Sequence, residues 1–261
     1  MHQAPVYFIS HGAPTFALEP GMLGPRLRAL GAEQAGLAAA LVVSPHWQTR
    51  GVRVMTSPRP ATLYDFGGFD PALHELRYPA PGHPALAAEA GQLLAAAGFE
   101  VAADAERGFD HGAWVPLLHL LPGATVPVFQ VSMPQTLSPA GALAMGRALA
   151  PLRARGVTIV GSGSLTHNLY ELRAPGAAAA AYAREFADWV RAAVVAGDTA
   201  GLVAYRDRAP HAARAHPTEE HFLPLLVAAG AHAGTETARV IEGGMTYGVL
   251  AMDSYAWGLA A

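Results

Sequence analysis

The sequence predicts an α/β fold, a single domain with a central, largely parallel sheet flanked by helices. Short apolar runs alternate along most of the chain with longer segments that have the pattern of helices, and this alternation is typical of a parallel sheet. The runs are also continuously apolar, as in 39–44, which is the character of strands covered on both faces. Neither a repeat nor a linker divides the 261 residues, so we expect one catalytic domain over residues 1–261.

Each predicted strand is a short apolar run. The first run is Val-Tyr-Phe-Ile-Ser, and the second ends at Ser44-Pro45. We expect the last two runs to pair with each other at the end of the chain. In chain order, the predicted strands cover 6–10, 39–44, 52–56, 100–103, 126–132, 157–161, 239–243 and 246–252.

The predicted helices begin and end at residues that favour these positions. Pro84 stands in the first turn of one helix and Gly98 follows it, while Gly156 and Gly230 end two others. Proline fits a first helical turn, and glycine fits the position after the last one. In chain order, the predicted helices cover 22–30, 84–97, 112–121, 139–155, 178–196, 202–206 and 217–229.

A long segment rich in proline and glycine, 58–84, has no regular pattern. Long irregular connections in compact domains are usually functional or disordered. The aromatic side chains of Tyr64, Phe66, Phe69 and Tyr78 argue against disorder. These aromatics form either a wall of a ligand pocket or a set of packing contacts between the loop and the sheet.

Composition excludes several classes of function. The formal net charge is −3 and charged residues make up only 14% of the chain, so nothing favours binding to nucleic acid or to an anionic membrane. There is no lysine, which excludes a Schiff base and a Walker-type phosphate loop. There is no cysteine, which excludes disulfides and thiolate chemistry and fits a cytoplasmic protein. No apolar run is long enough to span a membrane, and no targeting segment stands out.

Four histidines stand where an α/β sheet places its ligand site. His11, His46 and His167 each follow an apolar run, and His221 opens a helical run after 217–220. Ligands of such sheets bind beyond the carboxyl ends of the strands. Imidazole is the commonest metal ligand and also titrates near pH 7. The pattern therefore predicts a mononuclear metal site with its own acid/base, and hence an enzyme.

Each of these histidines also has a structural interpretation. His11 could simply cap the loop after its strand, but the same context recurs at His46. If the two strands are neighbours, the histidines lie about 5 Å apart, which suits two ligands of one ion. His111 follows Asp110 at a helix start, so a capping role is as well supported as a catalytic one. His221 alone would be read as structural, and only the other histidines favour a ligand.

The remaining histidines lack such contexts. His119 falls on an apolar helix and is predicted to pack in the core. A glycine-rich turn at 161–164 could bind phosphate, but the missing lysine weakens that interpretation. We expect loop or surface positions for His2, His74, His83, His211, His216 and His232.

An ordered set of motifs resembles one known family. The chain resembles the class III extradiol ring-cleaving dioxygenases, and within them the DOPA 4,5-dioxygenase-like branch, from about residue 6 to its end. The motifs are Ser10-His11-Gly12-Ala13-Pro14, Ser44-Pro45-His46-Trp47, Asp65-Phe66-Gly67-Gly68-Phe69, Tyr78-Pro79-Ala80-Pro81-Gly82, Gly108-Phe109-Asp110-His111-Gly112, Gly161-Ser162-Gly163 with His167-Asn168, and Pro217-Thr218-Glu219-Glu220-His221.

The resemblance implies a site, a cofactor and a substrate class. It implies one divalent metal ion held by His11, His46 and His221, with Fe(II) for turnover or Zn(II) as found. It implies His167 as the acid/base beside the metal, and as a fourth ligand in zinc-loaded members. It implies His111 as a catalytic group near dioxygen, and a small aromatic diol as the substrate that O₂ opens.

Some alternatives stay open. The wider class uses two histidines and a carboxylate, so Glu219 or Glu220 could replace His221 as the third ligand. A three-histidine site also suits a zinc-dependent hydrolase, and a non-catalytic metal-binding relative is a further alternative. The sequence names neither the catechol nor the oligomeric state. A substrate carboxylate could pair with Arg50, Arg53, Arg77 or none of these.

Overall fold

An eight-stranded sheet forms the centre of the computed structural model, which describes residues 3–259. Its strand order is β4-β3-β5-β2-β6-β1-β10-β7, and a separate two-stranded sheet joins β8 to β9. The strands are β1 (Val6–Ser10), β2 (Ala39–Thr49), β3 (Val52–Met55), β4 (Val101–Asp104), β5 (Val128–Pro134), β6 (Val157–Gly163), β7 (Arg239–Ile241), β8 (Met245–Thr246), β9 (Leu250–Ala251) and β10 (Ser254–Trp257).

The four central strands run parallel. β6 pairs in parallel with both β1 and β2, and β2 pairs in parallel with β5. Antiparallel pairs lie nearer the edges, where β10 joins β1 to β7 and β3 meets β5. The predicted α/β class with a largely parallel sheet is confirmed.

Helices cover both faces of this sheet. β6 is buried along its whole length, because α9 packs against it from one side and α3 from the other. The helices are α1 (Leu23–Ala32), α2 (Pro84–Ala96), α3 (His111–Leu120), α4 (Pro139–Leu149), α5 (Ala181–Ala196), α6 (Thr199–Val203), α7 (Tyr205–Arg208), α8 (Ala212–Ala215) and α9 (Leu223–Ala231). Short 3₁₀ turns cover Pro14–Ala17, Pro71–His74, Ala150–Arg155 and Leu169–Glu171.

Two predicted boundaries near the site were wrong. The strand expected to end at residue 44 continues to Thr49, with a break in its pairing to β5 between Val43 and Gln48. Pro45 lies in that break, where a residue without an N–H is tolerated. The helix expected from residue 217 begins at Leu223, because Pro224 fits only in a first helical turn. His46 therefore lies within a strand, and His221 lies in the turn before a helix.

The predicted pairing of the last two strands was also wrong. β7 pairs with β10, whereas the segment between them folds back as the small β8–β9 sheet. Gly244 and Gly248 both have positive φ angles, 76° and 67°, and these left-handed turns prevent one continuous ladder. The helices expected over 139–155 and 178–196 are shorter, since a 3₁₀ turn replaces the end of the first and the second begins at Ala181.

No helix within residues 3–259 is long and apolar enough to cross a membrane. His119 is buried as predicted, and its Nε2–H donates to the Phe16 carbonyl over 2.9 Å. His216 was expected at a loop or surface position: it lies in a loop after α8 but is fully buried, and its Nε2–H donates to the Leu165 carbonyl over 3.0 Å. His2 lies outside the described residues.

Candidate metal centre

The carboxyl end of β6 brings two of the candidate histidines together. The backbone N–H of His11, the residue after β1, donates to the Gly163 carbonyl over 2.9 Å. The backbone carbonyl of His221 accepts from the Ser164 N–H, also over 2.9 Å. A side chain at Gly163 would overlap the His221 carbonyl oxygen, so glycine is needed for this close approach. β6 separates β1 from β2, and the expectation that His11 and His46 follow neighbouring strands was wrong.

The three imidazoles nevertheless converge. The Nε2 atoms of His11 and His46 are 3.1 Å apart. One ligating nitrogen from each of His11, His46 and His221 lies within 4.8 Å of the others. Two nitrogens bound to one tetrahedral Zn(II) are roughly 3.4 Å apart, given Zn–N bonds of about 2.1 Å. The cluster therefore has the dimensions of a site for a single ion.

In His11 and His221, a hydrogen bond at Nδ1 leaves Nε2 without a hydrogen and free to bind a metal. The Ser162 hydroxyl donates to the Gly112 carbonyl, so it accepts from His11 Nδ1–H over 2.9 Å. His221 Nδ1 lies 3.1 Å from a carboxylate oxygen of Glu220 and donates to it. His221 Nε2 is buried and has no hydrogen-bond partner among residues 3–259. Metal-bound histidines are oriented in this way by partners on their other nitrogen, so the residues present fit a metal ion.

These imidazoles are neutral at pH 7. Burial, followed by repulsion from the surrounding imidazoles, lowers the pKa of His11 and of His221 well below the ordinary value. Burial, with repulsion from His111, lowers the pKa of His46 to about 4. Burial also lowers the pKa of His167 to about 4. Each ring can therefore offer a lone pair to a metal or accept a proton.

His111 lies beside this cluster and is held by Asp65. The ring centroids of His111 and His46 are 3.8 Å apart. The backbone N–H of His111 donates to Asp65 Oδ1 over 2.9 Å, and its Nδ1 lies 3.0 Å from the same oxygen. Burial raises the pKa of Asp65, but the hydrogen bonds and charge of His111 outweigh it and lower that pKa overall. The sequence motif contained Asp65, but nothing in the local pattern gave this carboxylate a role.

A buried network behind His111 fixes the start of α3. Asp110 is fully buried and caps the helix through the Ala113 N–H. Its carboxylate accepts from the Ser44 hydroxyl, the Gln130 amide and the Arg107 guanidinium over 2.8–2.9 Å. Asp110 therefore caps the helix, as one interpretation of this segment expected, and His111 also lies beside the histidine cluster.

His167 stands apart from the three converging nitrogens. Its ring stacks on that of His221, with centroids 3.4 Å apart and planes 10° apart. Its ligating nitrogen lies within 4.8 Å of ligand atoms of Glu220 and His221, but it does not form such a group with His11 and His46. The backbone N–H of His167 donates to the Ala215 carbonyl over 2.8 Å, which fixes its loop against the turn that carries His221.

The two glutamates before His221 differ. Glu219 accepts hydrogen bonds from the Tyr205 hydroxyl and the Arg206 guanidinium, over 3.0 and 3.1 Å, and is held away from the cluster. Glu220 lies beside the cluster, but its carboxylate is bound to His221 Nδ1. Neither glutamate therefore joins His11 and His46 as a third ligand, whereas His221 does. The ligand atoms of His46, Asp65 and His111 form a second, overlapping group that also lies within 4.8 Å.

A cavity of about 390 Å³ opens above the histidines. Phe66 and Phe69 line it, whereas Tyr64 and Tyr78 pack inward and donate to backbone carbonyls over 2.7 and 2.9 Å. The aromatic segment thus supplies both a pocket wall and packing contacts. Its other lining residues are Gly12, Ala13, Pro14, Thr15, His46, His111, His167, Leu169, Leu172, His221, Tyr247 and Leu250.

Known proteins resemble this chain along nearly its whole length. A family model described as the catalytic LigB subunit of aromatic ring-opening dioxygenase matches residues 25–252. A 4,5-DOPA dioxygenase extradiol from Beta vulgaris is 38% identical over 253 residues, which cover 95% of this chain and 94% of the relative. A protein of the same name from Escherichia coli K12 is also 38% identical, over 96% of this chain and 93% of the relative.

A solved structure agrees with these matches. The crystal structure of an uncharacterized protein from Escherichia coli K12, JW3007, superposes with a TM-score of 0.82 at 33% identity. The match covers 97% of this chain and 99% of that one. These relatives, together with the cluster of metal-ligating residues, make the protein a metal-dependent oxidoreductase that opens aromatic rings with O₂. The chain belongs to the LigB family of aromatic ring-opening dioxygenases.

Proposed function

We propose that His11, His46 and His221 hold one divalent metal ion, above which a catechol-type substrate is opened beside its diol. The observation that carries this proposal is the convergence of three imidazole nitrogens within 4.8 Å of one another. The cavity above them has walls of aromatic and aliphatic side chains, which suits an aromatic ring.

Three neutral imidazoles leave the full charge of the ion in place, and such a set suits both Fe(II) and Zn(II). We propose Fe(II) for turnover and Zn(II) as an alternative occupant that supports no ring opening. When bound, Fe(II) would supply the redox chemistry that links the diol to O₂. The protein contributes the orientation of the substrate, the exclusion of water and the transfer of protons.

His167 is the proposed acid/base. It lines the cavity, and its lowered pKa, about 4, keeps it neutral at pH 7. It can therefore accept the proton of a substrate hydroxyl and later return one to the opened product. A positioned acid/base of this kind accelerates a reaction by roughly 10²- to 10⁴-fold. Its stacking on His221 supports a role beside the proposed metal, as a group distinct from the three converging ligands.

His111 is proposed as a second catalytic group, near the dioxygen side of the cavity. Asp65 accepts from its backbone N–H and lies 3.0 Å from its Nδ1, which leaves Nε2 as the nitrogen available to the cavity. With the hydrogen of Nδ1 facing Asp65, Nε2 carries a lone pair that can accept a proton or a hydrogen bond from the reacting group.

Anaerobic reconstitution with Fe(II), followed by oxygen-electrode measurements with several catechols, tests the proposal. We expect oxygen consumption and a yellow ring-opened product. His167→Ala should keep the metal and lose at least about 10²-fold in turnover, whereas His11→Ala should lose the metal itself. His211→Ala is the control, because that histidine is exposed and paired with Glu185.

Iron-loaded protein that consumes no oxygen with any catechol would contradict the proposal. Hydrolysis by the zinc-loaded form in that case would favour the zinc hydrolase instead. We also propose one catalytic domain over residues 1–261. The cytoplasmic location expected from the sequence stays a prediction.

A further inference from the structure

The cavity above the histidines has no charged side chain in its lining, among the residues that the structure describes. Its walls are aromatic, aliphatic and proline side chains. Its two hydroxyl groups, those of Thr15 and Tyr247, are 3.0 Å apart and hydrogen-bond to each other. Away from the proposed metal ion, a charged ligand group would therefore lose its water here without gaining an ionic partner among these side chains.

Two arginines close to the lining residues are hydrogen-bonded to other groups. The Arg214 guanidinium forms two hydrogen bonds of 2.8 Å with the Glu171 carboxylate. Arg173 follows the lining residue Leu172, but its guanidinium donates to the Ala178 carbonyl over 3.0 Å. The arginines that the sequence offered as carboxylate partners, Arg50, Arg53 and Arg77, do not line the cavity.

Three of the apolar side chains that line this cavity are also exposed to solvent. Leu169 is 50% exposed, Leu172 is 46% exposed and Phe69 is 39% exposed. Exposed apolar groups that rim a cavity mark a ligand surface. The cavity volume of about 390 Å³ lies within the roughly 300–1,000 Å³ of sites for ligands larger than a single ring.

We propose that the site takes an uncharged catechol with an apolar substituent, and that Leu169 and Leu172 select it over catechols that carry a carboxylate or an ammonium group. The inference rests on the proposed function, because it assumes that the diol sits at the histidine cluster. The diol then lies over the imidazoles, and the substituent extends toward the exposed leucines. A charged substituent in the same position would be desolvated against leucine side chains with no partner.

Binding to the zinc-loaded protein separates this inference from turnover. Calorimetric titration would compare 4-butylcatechol with L-DOPA and with 3,4-dihydroxyphenylacetate. We expect the Kd of 4-butylcatechol to be at least about tenfold lower than that of either charged catechol, because even one apolar contact in such a pocket is worth about tenfold. The iron-loaded protein should show the same order in kcat/KM.

A substitution at the cavity edge provides the second test. Leu172→Arg places a cation beside the substituent, so we expect it to reduce the preference for 4-butylcatechol over 3,4-dihydroxyphenylacetate by about tenfold or more. Leu18→Arg is the matched control, since Leu18 is 40% exposed and does not line the cavity. The control should keep the preference of the unmodified protein.

The outcomes distinguish this inference from the proposed function. Preferential binding of 4-butylcatechol without oxygen consumption by the iron form would support the ligand class and overturn the dioxygenase mechanism. Oxygen consumption with tighter binding of L-DOPA or the carboxylate would overturn the ligand class alone. Failure of all three catechols to bind would also overturn it.

Discussion

His11 Nδ1 lies 2.9 Å from the hydroxyl oxygen of Ser162. The Ser162 hydroxyl donates its own hydrogen to the Gly112 carbonyl, so it can only accept from the histidine. This contact sets the tautomer of His11 and turns the lone pair of Nε2 toward His46. Ser162, on β6, thereby orients His11, which follows β1, for metal binding.

Replacing Ser162 by alanine should weaken metal binding. Without the hydroxyl, His11 can place its hydrogen on either nitrogen, and the ring loses its orientation. Loss of such a partner typically costs about 10- to 100-fold in metal affinity, which competition with a chromogenic chelator measures. Ser132→Ala is the control, since that buried hydroxyl contacts Thr49 and Arg53 and no histidine. Unchanged affinity in Ser162→Ala would mean that the tautomer of His11 is set elsewhere.

Asp65→Asn should lower turnover while the metal content stays near that of the unmodified protein. The carboxylate holds His111 through its backbone N–H and faces its Nδ1, but it is not among the three converging ligands. We expect kcat to fall about tenfold or more, measured by oxygen uptake, because a misplaced proton-transfer group acts less efficiently. Asp70→Asn removes an exposed carboxylate from the same segment and should change little. Full kcat in Asp65→Asn would argue against a role for this carboxylate.

Gly163→Ala should both destabilise the protein and reduce its metal content. The added methyl group would overlap the backbone carbonyl oxygen of His221, so the turn before α9 must move. Such overpacking costs typically about 1–3 kcal/mol, measurable by urea denaturation. Gly234→Ala is the control, because nothing lies within 4 Å of the position its side chain would take. A stable Gly163→Ala variant with full metal content would contradict the close approach described above.

His216 should make the metal-free protein less stable in acid. Burial lowers the pKa of His216 from 6.5 to about 3. Below pH 6.5, His216 is therefore protonated in the unfolded chain but stays neutral in the folded chain. Above pH 6.5 the residue is neutral in both states and has no effect. The resulting loss of unfolding free energy is about 2 kcal/mol between pH 7 and pH 5.

His216→Gln removes this titration and keeps a side-chain N–H that can reach the Leu165 carbonyl. The difference in unfolding free energy between the unmodified protein and the variant should therefore shrink by about 2 kcal/mol from pH 7 to pH 5, as urea denaturation at each pH would measure. The other buried histidines are common to both proteins and cancel. A difference that does not depend on pH would show that His216 does not resist protonation in the fold.

Local patterns in the sequence determined the elements and pointed to the histidines. β1 and β6 begin where their continuous apolar runs predicted, because a strand buried on both faces needs apolar side chains throughout. Asp110 and Pro84 marked the starts of α3 and α2. The ordered motifs resembled the family to which the chain belongs.

The tertiary structure alone decided how these pieces make a site. Strand order is set by pairing between distant segments, so no local pattern could place β6 between β1 and β2. The partners of His11 and His111 are likewise distant: Ser162 lies 151 residues away and Asp65 lies 46 residues away. The uncharged lining of the cavity also depends on which side chains the fold turns inward. The composition gives the number of arginines, but only the packing shows that, among the described residues, none of them lines this cavity.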